Sequence, residues 1–142
     1  MRIVLDTNVL VSGVLNPHGS PGRVLDIIVS GAVKVLLDDR IIAEYREVLA
    51  RPRFGFRSDN VEVLIDFIVS EGEAVTSVPL ALSLPDRDDL PFLEVAVAGK
   101  ADALVTGNGG HFMPSAGEHQ AEVCTPAAFI SLWQQEHSKP RL

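Results

Sequence analysis

The sequence predicts an α/β fold in which α-helices flank a central, mostly parallel β-sheet. Short apolar runs that fit buried strands alternate with longer segments whose apolar residues recur at helical spacing. The first run, Ile3 to Leu5, is apolar throughout, as in strands that are covered on both faces. The 142 residues suit one domain and contain no internal repeat. We therefore expect a single domain over residues 1–137 and a frayed tail over residues 138–142.

The individual elements follow from local patterns. The predicted strands are short apolar or β-branched runs, which cover residues 3–5, 33–37, 74–76, 103–106 and 122–124. The predicted helices follow capping residues and end at glycine or proline, and they lie after Ser20, Asp38–Asp39, Ser58, Asp86–Asp89 and Thr125. The fourth helix is nearly all apolar, through Phe92, Leu93, Ala96 and Val97, and should therefore be buried.

Composition and charge exclude several classes of protein. A hydrophobic share of 46% is too high for a disordered chain, and no apolar run is long enough to span a bilayer. An acid at position 6 interrupts any secretory signal, so we expect a cytoplasmic protein. The single cysteine and the scattered histidines provide neither a disulfide nor a zinc site. The net charge of −7 disfavours broad adhesion to nucleic acid but permits a local basic strip.

Polar residues follow two of the predicted strands. Asp6 follows the first strand, and Thr106 and Asn108 follow the fourth. Because parallel strands end at the same edge of a sheet, these residues would lie close together if the two strands were neighbours. The alternative is that they are ordinary turn and cap residues, which Asp and Asn favour in any case.

Glu44 lies in the second predicted helix. On a helical wheel it falls at the border of the apolar stripe, beside Val48, where a carboxylate can face a cleft. Glu47 falls nearly opposite that stripe. The alternative is that Glu44 is a surface residue that pairs with Arg40, four positions earlier.

Three aspartates crowd the start of the fourth helix. Asp86, Asp88 and Asp89 suit the positive end of a helix, but capping explains only one or two of them. A further carboxylate beside like charges is costly unless a cation compensates it. Together with Asp6 and Glu44, Asp89 would form an oxygen-only cluster suited to Mg²⁺ or Mn²⁺.

Four motifs in order carry a resemblance that spans nearly the whole chain. They are Ile3–Leu10, Glu44-x-x-x-Val48-Leu49-x-Arg51-Pro52, Asp86-x-Asp88-Asp89 and Ala101–Asn108. In this order they resemble the PIN-domain family, and most of all its branch of toxin–antitoxin toxins, the VapC-like ribonucleases. The resemblance implies a metal-dependent endoribonuclease that cuts single-stranded RNA with a metal-activated water.

The resemblance also implies roles for particular residues. Asp6 corresponds to the family's first acid and Glu44 to its second, and these would hold Mg²⁺ or Mn²⁺ together with a third. Asp89 is the preferred third acid because that residue starts a helix with a small residue seven positions later, here Ala96. Two nearby aspartates, Asp86 and Asp88, remain alternative or supporting ligands.

The fourth acidic position of the family holds Asn108 here, which removes one charge from the site. An asparagine can still ligate through its carbonyl, but the lost charge should weaken a second metal. Thr106 and Asn8 resemble the family's supporting polar residues, which would orient the carboxylates.

A basic and aromatic connector offers a surface for RNA. Arg51, Arg53 and Arg57 alternate with Phe54 and Phe56, and this combination provides charge and stacking surfaces for unpaired bases. The alternative is that both rings belong to the core or to a dimer contact and that the arginines form a solvated loop.

The expected partners are an RNA substrate, a cognate antitoxin and a second copy of the chain in a homodimer. A non-catalytic PIN-fold domain that binds RNA or protein is the alternative function. A phosphoacceptor domain of the response-regulator type would need paired acids after the first strand and a lysine after the last. Neither feature is present in the sequence.

Overall fold

The computed structural model describes residues 1–81, 84, 86–109 and 121–137, which form a parallel sheet flanked by helices. The strands are β1 (Arg2–Leu5), β2 (Lys34–Leu37), β3 (Glu73–Ala74), β4 (Ala103–Val105) and β5 (Val123–Cys124). The helices are α1 (Thr7–Leu15), α2 (Ser20–Val29), α3 (Asp39–Leu49), α4 (Ser58–Glu71), α5 (Leu90–Ala98) and α6 (Pro126–His137). The predicted fold class is confirmed, and the tail at residues 138–142 lies outside the described residues.

The strand order creates a topological switch beside β1. The order is β3-β2-β1-β4-β5, and every described pairing is parallel. The chain moves outward from β1 through β2 to β3 and then returns to pair β4 with the other side of β1. Segments that leave β1 and β4 therefore diverge at one edge of the sheet, which is where open α/β sheets bind ligands.

The core is built on the central strands and α5. The apolar residues of β1, β4 and β2 after Lys34 are at most 2% exposed. Helix α5 packs on all three of these strands, and five successive residues from Phe92 to Ala96 are buried. The expected burial of this helix is confirmed. No helix of the described residues is long and apolar enough to cross a membrane.

Helix α1 is absent from the elements that the sequence patterns predict. It begins directly after Asp6, and its buried residues are Thr7, Val9, Leu10, Val11 and Gly13. Because three consecutive apolar residues are covered, the helix has no one-sided stripe that a helical-spacing argument would detect. Gly13 allows α2 to pack closely on α1, since a Cβ at this position would come within 2.6 Å of the Leu25 side chain on α2.

Several element boundaries differ from prediction by one or two residues. Strand β3 ends at Ala74 rather than continuing to residue 76. Ser20 and Ser58 are the first residues of α2 and α4 and follow the capping positions Gly19 and Arg57, so both predicted serine caps are wrong. The predicted Thr125 cap is confirmed, because its hydroxyl accepts the Ala128 N–H at 3.1 Å. Such differences at element ends are ordinary.

Tyr45 connects α3 to the central strand. Its side chain is fully buried, and its hydroxyl donates a hydrogen bond of 2.6 Å to the Leu5 carbonyl, one residue before Asp6. Burial raises the pKa of Tyr45 well above its ordinary value, and the carboxylates of Asp6 and Glu44 add to this increase. The hydroxyl therefore stays protonated and acts as a donor.

Replacing Tyr45 with phenylalanine removes this donor and keeps the ring. We expect Tyr45→Phe to lower the free energy of unfolding by about 1 kcal/mol, the usual net contribution of one hydrogen bond. Urea unfolding followed by circular dichroism measures the change. An unaltered free energy of unfolding would show that the bond to Leu5 contributes nothing.

Candidate active site

One cleft opens at the carboxyl ends of β1 and β4, with a volume of about 520 Å³. Its polar lining contains all the acids proposed from the sequence and two of the three arginines. The polar and charged residues that line it are Asp6, Thr7, Asn8, Ser12, Glu44, Arg51, Arg53, Asp86, Asp88, Asp89 and Asn108. The polar residues after the two strands therefore share one site, as expected if β1 and β4 are neighbours.

Asp6 lies at the base of the cleft. It is only 4% exposed and its backbone N–H donates to the Val105 carbonyl at 3.0 Å, which continues the pairing of β1 with β4. Although Asp6 precedes α1, its side chain makes no capping bond to that helix. The carboxylate instead accepts a hydrogen bond of 2.6 Å from the Thr106 hydroxyl.

Thr106 connects Asp6 to Asn108. The Thr106 side chain is fully buried, and its oxygen also accepts the Asn108 backbone N–H at 3.0 Å. One hydroxyl thus fixes the Asp6 carboxylate and the turn that carries the exposed Asn108. This arrangement fits the orienting role that the sequence suggested for Thr106. Asn8 is exposed in the wall of the same cleft.

Glu44 faces the cleft from α3. Its carboxylate accepts a hydrogen bond from the buried Thr7 hydroxyl, at the first residue of α1. The alternative pairing with Arg40 is wrong, because Arg40 binds Asp38 and Glu94 instead. Glu47 is exposed and does not belong to the described cleft lining, in agreement with its place on the helical wheel. It pairs at 3.1 Å with Arg51, which does line the cleft.

The three aspartates before α5 occupy different environments. Asp86 and Asp88 are exposed, and the Asp86 carboxylate accepts the Asp88 N–H at 2.9 Å in the 3₁₀ turn Arg87–Asp89. Asp89 is 9% exposed and directly precedes α5, without a side-chain capping bond to that helix. Asp89 is therefore the most enclosed carboxylate of the three.

The carboxylates of the cleft repel one another. Partial burial raises the pKa of Glu44, and the charges of Asp6, Asp88 and Asp89 raise it further, while the Thr7 hydroxyl acts in the opposite direction. These three aspartates and Glu44 line the same cleft. A cation in the cleft would reverse this repulsion.

The donor chemistry of the cleft fits a hard divalent ion, since its candidate ligands are carboxylate and amide oxygens. Within the described part of the chain, however, no three acids, histidines or cysteines lie close enough together to hold one ion. The Glu44 carboxylate is bonded to the Thr7 hydroxyl. The cleft therefore contains suitable ligands that stand apart from one another.

The basic connector forms one rim of the cleft. Arg51 and Arg53 line it from the 3₁₀ turn Pro52–Phe54 and the residue before it, whereas Arg57 pairs with Asp59 beside a separate small groove. The rings of Phe54 and Phe56 stack with centroids 5.6 Å apart, and both pack against the core. The packing interpretation of the two rings is thus supported, although Phe54 also reaches the cleft.

A family model described as PIN domain matches residues 2–109. The chain belongs to the PIN domain family. Protein MJ1680 of Methanocaldococcus jannaschii, which is uncharacterized, is 27% identical over 115 residues that cover 76% of this chain and 71% of that protein. PIN domains are generally nucleases, and PIN nucleases usually use divalent metal ions.

The fold of this PIN domain is similar to a solved structure. The crystal structure of VapBC2 from Rickettsia felis bound to a DNA fragment from their promoter gives a TM-score of 0.56. The sequence identity is 17%, and the likeness covers 88% of this chain and 98% of that one. At this identity the comparison establishes a shared fold.

Thr7 is the site residue of this PIN domain that the sequence argument missed. It follows Asp6 and resembled an ordinary turn residue, because α1 was not predicted. Its position directly after Asp6 was the one sequence feature that could have identified Thr7 as a site residue. Ser12 and Pro21 also line the cleft, because α1 and the start of α2 form one of its walls.

The raised pKa of Glu44 predicts a stability change that depends on pH. A carboxyl whose pKa is higher in the folded than in the unfolded protein destabilises the fold once it ionises. We expect Glu44→Gln to raise the melting temperature of the metal-free protein at neutral pH. The gain should shrink as the pH falls toward 4.5, the ordinary pKa of the group, and disappear below it. Thermal melts in EDTA across this range measure the difference.

The control for this experiment is Glu71→Gln, which makes the same chemical change at the exposed end of α4. It should produce no such pH-dependent gain. If Glu44→Gln instead lowers the melting temperature at neutral pH, the repulsion within the cleft does not limit stability.

Proposed function

We propose that this PIN domain is a Mg²⁺- or Mn²⁺-dependent endoribonuclease that cuts single-stranded RNA. The supporting observation is that one cleft at the switch between β1 and β4 combines candidate metal ligands with a basic rim. Asp6, Glu44 and Asp89 provide the ligands, and Arg51 and Arg53 provide the rim. Phosphodiester hydrolysis needs both features, because the substrate and the carboxylates carry charges of the same sign.

Asp6, Glu44 and Asp89 would hold the ion, and the uncharged Asn108 would add a weaker oxygen ligand or orient a water molecule. A bound divalent ion lowers the pKa of a water molecule and offsets charge on the phosphoryl oxygens. The Thr106 hydroxyl holds the Asp6 carboxylate in one orientation, and Thr7 does the same for Glu44. Asn8, Asp86 and Asp88 would support the site from the cleft wall.

The basic rim would bind the RNA backbone. Among the described residues that line the cleft, Arg51 and Arg53 are the basic ones, so phosphate recognition would depend on them. The Arg53 guanidinium carbon lies 4.8 Å from the centroid of the Phe54 ring, and this cation–π contact stabilises the position of the arginine side chain. An unpaired strand suits this narrow combination of charge and planar groups better than a rigid duplex.

We further propose that the chain is the toxin of a toxin–antitoxin pair, with a cognate antitoxin that binds it and a homodimer as its assembly. The order of the four sequence motifs supports this role, and the fold likeness to VapBC2 agrees with it. In cells, the proposed role predicts that expression of the chain alone slows growth unless the antitoxin is present.

A non-catalytic binding domain of the same fold is the second candidate. Two observations favour it: Asn108 replaces an acid, and no three acids of the described residues lie close enough to share one ion. Such a domain would bind RNA or protein without turnover in the presence of Mg²⁺ or Mn²⁺. Metal binding and cleavage therefore separate the two candidates.

Neutralising the first proposed ligand tests the catalytic role. We expect Asp6→Asn to reduce Mn²⁺-dependent cleavage of single-stranded RNA by at least about 100-fold while the fold persists, because a strand-end ligand contributes mainly to chemistry. The matched control is Asp26→Asn, an identical change at an exposed position of α2. Cleavage is followed with a fluorescent oligonucleotide, and folding with circular dichroism. Equal activity in both variants would refute the proposed site.

Salt dependence tests the basic rim. If Arg51 and Arg53 contact phosphates, replacing either with glutamine should weaken RNA binding and reduce the slope of log K against log salt by about 0.7 per lost contact. Arg57→Gln makes the same change outside the cleft and should alter the slope less. Fluorescence anisotropy at several salt concentrations provides both quantities. A larger effect of Arg57 would place the RNA on the separate groove instead.

A further inference from the structure

An ion pair with a buried carboxylate connects the two helices that position Glu44 and Asp89. We propose that Arg40 and Glu94 are positioning residues, whose bond between α3 and α5 sets the separation of those two carboxylates and so the affinity of the cleft for a divalent ion. This inference rests on the proposed metal-dependent function. Neither residue of the pair belongs to the cleft lining.

Glu94 is a charged residue in the apolar core. It lies in the middle of α5 and is 4% exposed, yet both of its oxygens have partners. One oxygen accepts a 2.7 Å bond from the Arg40 guanidinium, and the other accepts the Leu80 backbone N–H at 2.7 Å. The side chain therefore holds α5 to the start of α3 and to the segment that precedes the three aspartates.

Arg40 links Glu94 to Asp38, the residue that caps the beginning of α3. Two of its N–H groups donate to one oxygen of Asp38, at 2.9 and 2.7 Å. The other oxygen of Asp38 accepts the Ile41 N–H at 3.0 Å and so caps the helix. Because the guanidinium is planar and bonded on two sides, it fixes direction as well as distance.

The bond lies close to both proposed ligands along the chain. Arg40 is four residues before Glu44, and Glu94 is five residues after Asp89. These intervals correspond to about 6 to 8 Å along a helix axis, or little more than one turn. A change in the Arg40–Glu94 bond would therefore be transmitted to both carboxylates through short, rigid segments.

Stability alone does not account for this ion pair. Only the carboxylate of this pair is taken out of water, since the Arg40 side chain is 47% exposed. Well-packed apolar residues often stabilise a protein as much as an ion pair with a buried member, so the pair is weak evidence for stability. The nearby contact between α3 and α5 is the tilted pair of Tyr45 and Phe92, whose ring centroids are 6.4 Å apart. Apolar contacts of this kind are not directional, whereas charge-assisted hydrogen bonds fix the register of two helices.

The repulsion within the cleft explains what the bond would do. Asp6, Glu44, Asp88 and Asp89 line one cleft, and like charges at such a site oppose one another. Without a restraint, α3 and α5 could relax this repulsion by moving apart. A strong polar connection outside the cleft holds the carboxylates near one another without occupying their ligand oxygens.

The test is Mn²⁺ binding to the full chain without RNA, measured by isothermal titration calorimetry. The main variant is the double replacement Arg40→Met with Glu94→Leu, which exchanges the ion pair for apolar side chains and removes the buried Glu94 charge together with its partner. We expect a folded protein whose Mn²⁺ affinity is about 10- to 100-fold weaker, the usual effect of losing a residue that orients metal ligands. RNA cleavage should show a lower kcat with little change in KM.

The matched control is Arg46→Met. Arg46 also lies on α3, has the same 47% side-chain exposure as Arg40, and forms ion pairs across to Glu62 and Asp66 of a neighbouring helix, α4. That helix contributes no residue to the described cleft lining. The control should therefore leave both the Mn²⁺ affinity and kcat at the wild-type level.

The outcomes separate this inference from the proposed function. A wild-type protein that binds no Mn²⁺ overturns the proposed function and the inference with it. A wild-type protein that binds Mn²⁺, together with a folded double variant of equal affinity, overturns the inference alone. Should the double variant not fold, Arg40→Lys decides, since it keeps the charge but loses the two-sided bonding. Unchanged Mn²⁺ affinity in Arg40→Lys would then overturn the inference.

Discussion

Carboxylates that share one cleft repel one another, and this protein nevertheless holds several of them at a single edge of its sheet. Partial burial raises the pKa of Glu44, and the charges of Asp6, Asp88 and Asp89 raise it further. The fold resists this repulsion in two ways. Neutral hydroxyls of Thr7 and Thr106 stabilise individual carboxylates, and the rigid attachment of strands and helices keeps their backbones in place.

The attachment begins in the core. β1 lies in the middle of the sheet, and its apolar residues are fully buried between neighbours on both sides. Tyr45 bonds α3 to the last residue of this strand, and α5 packs across the same strand and its two neighbours. The elements that carry the proposed ligands are thus connected through one set of buried contacts.

The distribution of charge within the cleft suits a reaction on a phosphodiester. The protein carries a net charge of −7, which opposes general attraction to nucleic acid. Arg51 and Arg53 concentrate positive charge beside the acids instead. A local rim of this kind directs a phosphate to one place and leaves the rest of the surface unattractive to it. The contents of the cleft are therefore compatible with the nuclease activity that is general among PIN domains.

Much of the site was predictable, because its residues occupy positions that local patterns define. Asp6 and Asn108 follow buried strands, and the rules of parallel sheets place such residues at one edge. The border position of Glu44 on its helical wheel correctly placed it away from open solvent. The sequence also placed Glu47 outside the cleft lining, where its exposed side chain pairs with Arg51 of the rim. Other features depend on contacts between distant parts of the chain. Helix α1 was not predictable from a one-sided apolar stripe, since α2 and the core cover it on several sides, and with α1 the role of Thr7 was missed.

The sequence by itself thus determined the alternation of strands and helices and the strand ends at which acids gather. These properties follow from spacing and residue type, which act over one or two turns of chain. Only the tertiary structure decided which charges pair, since Arg40 could equally have paired with Glu44 and instead binds Glu94, which is 54 residues away. It also decided that Arg51 and Arg53, but not Arg57, line the cleft, and that Asp89 is the enclosed aspartate. Those outcomes depend on burial, and burial is set by residues that become neighbours only when the chain has folded.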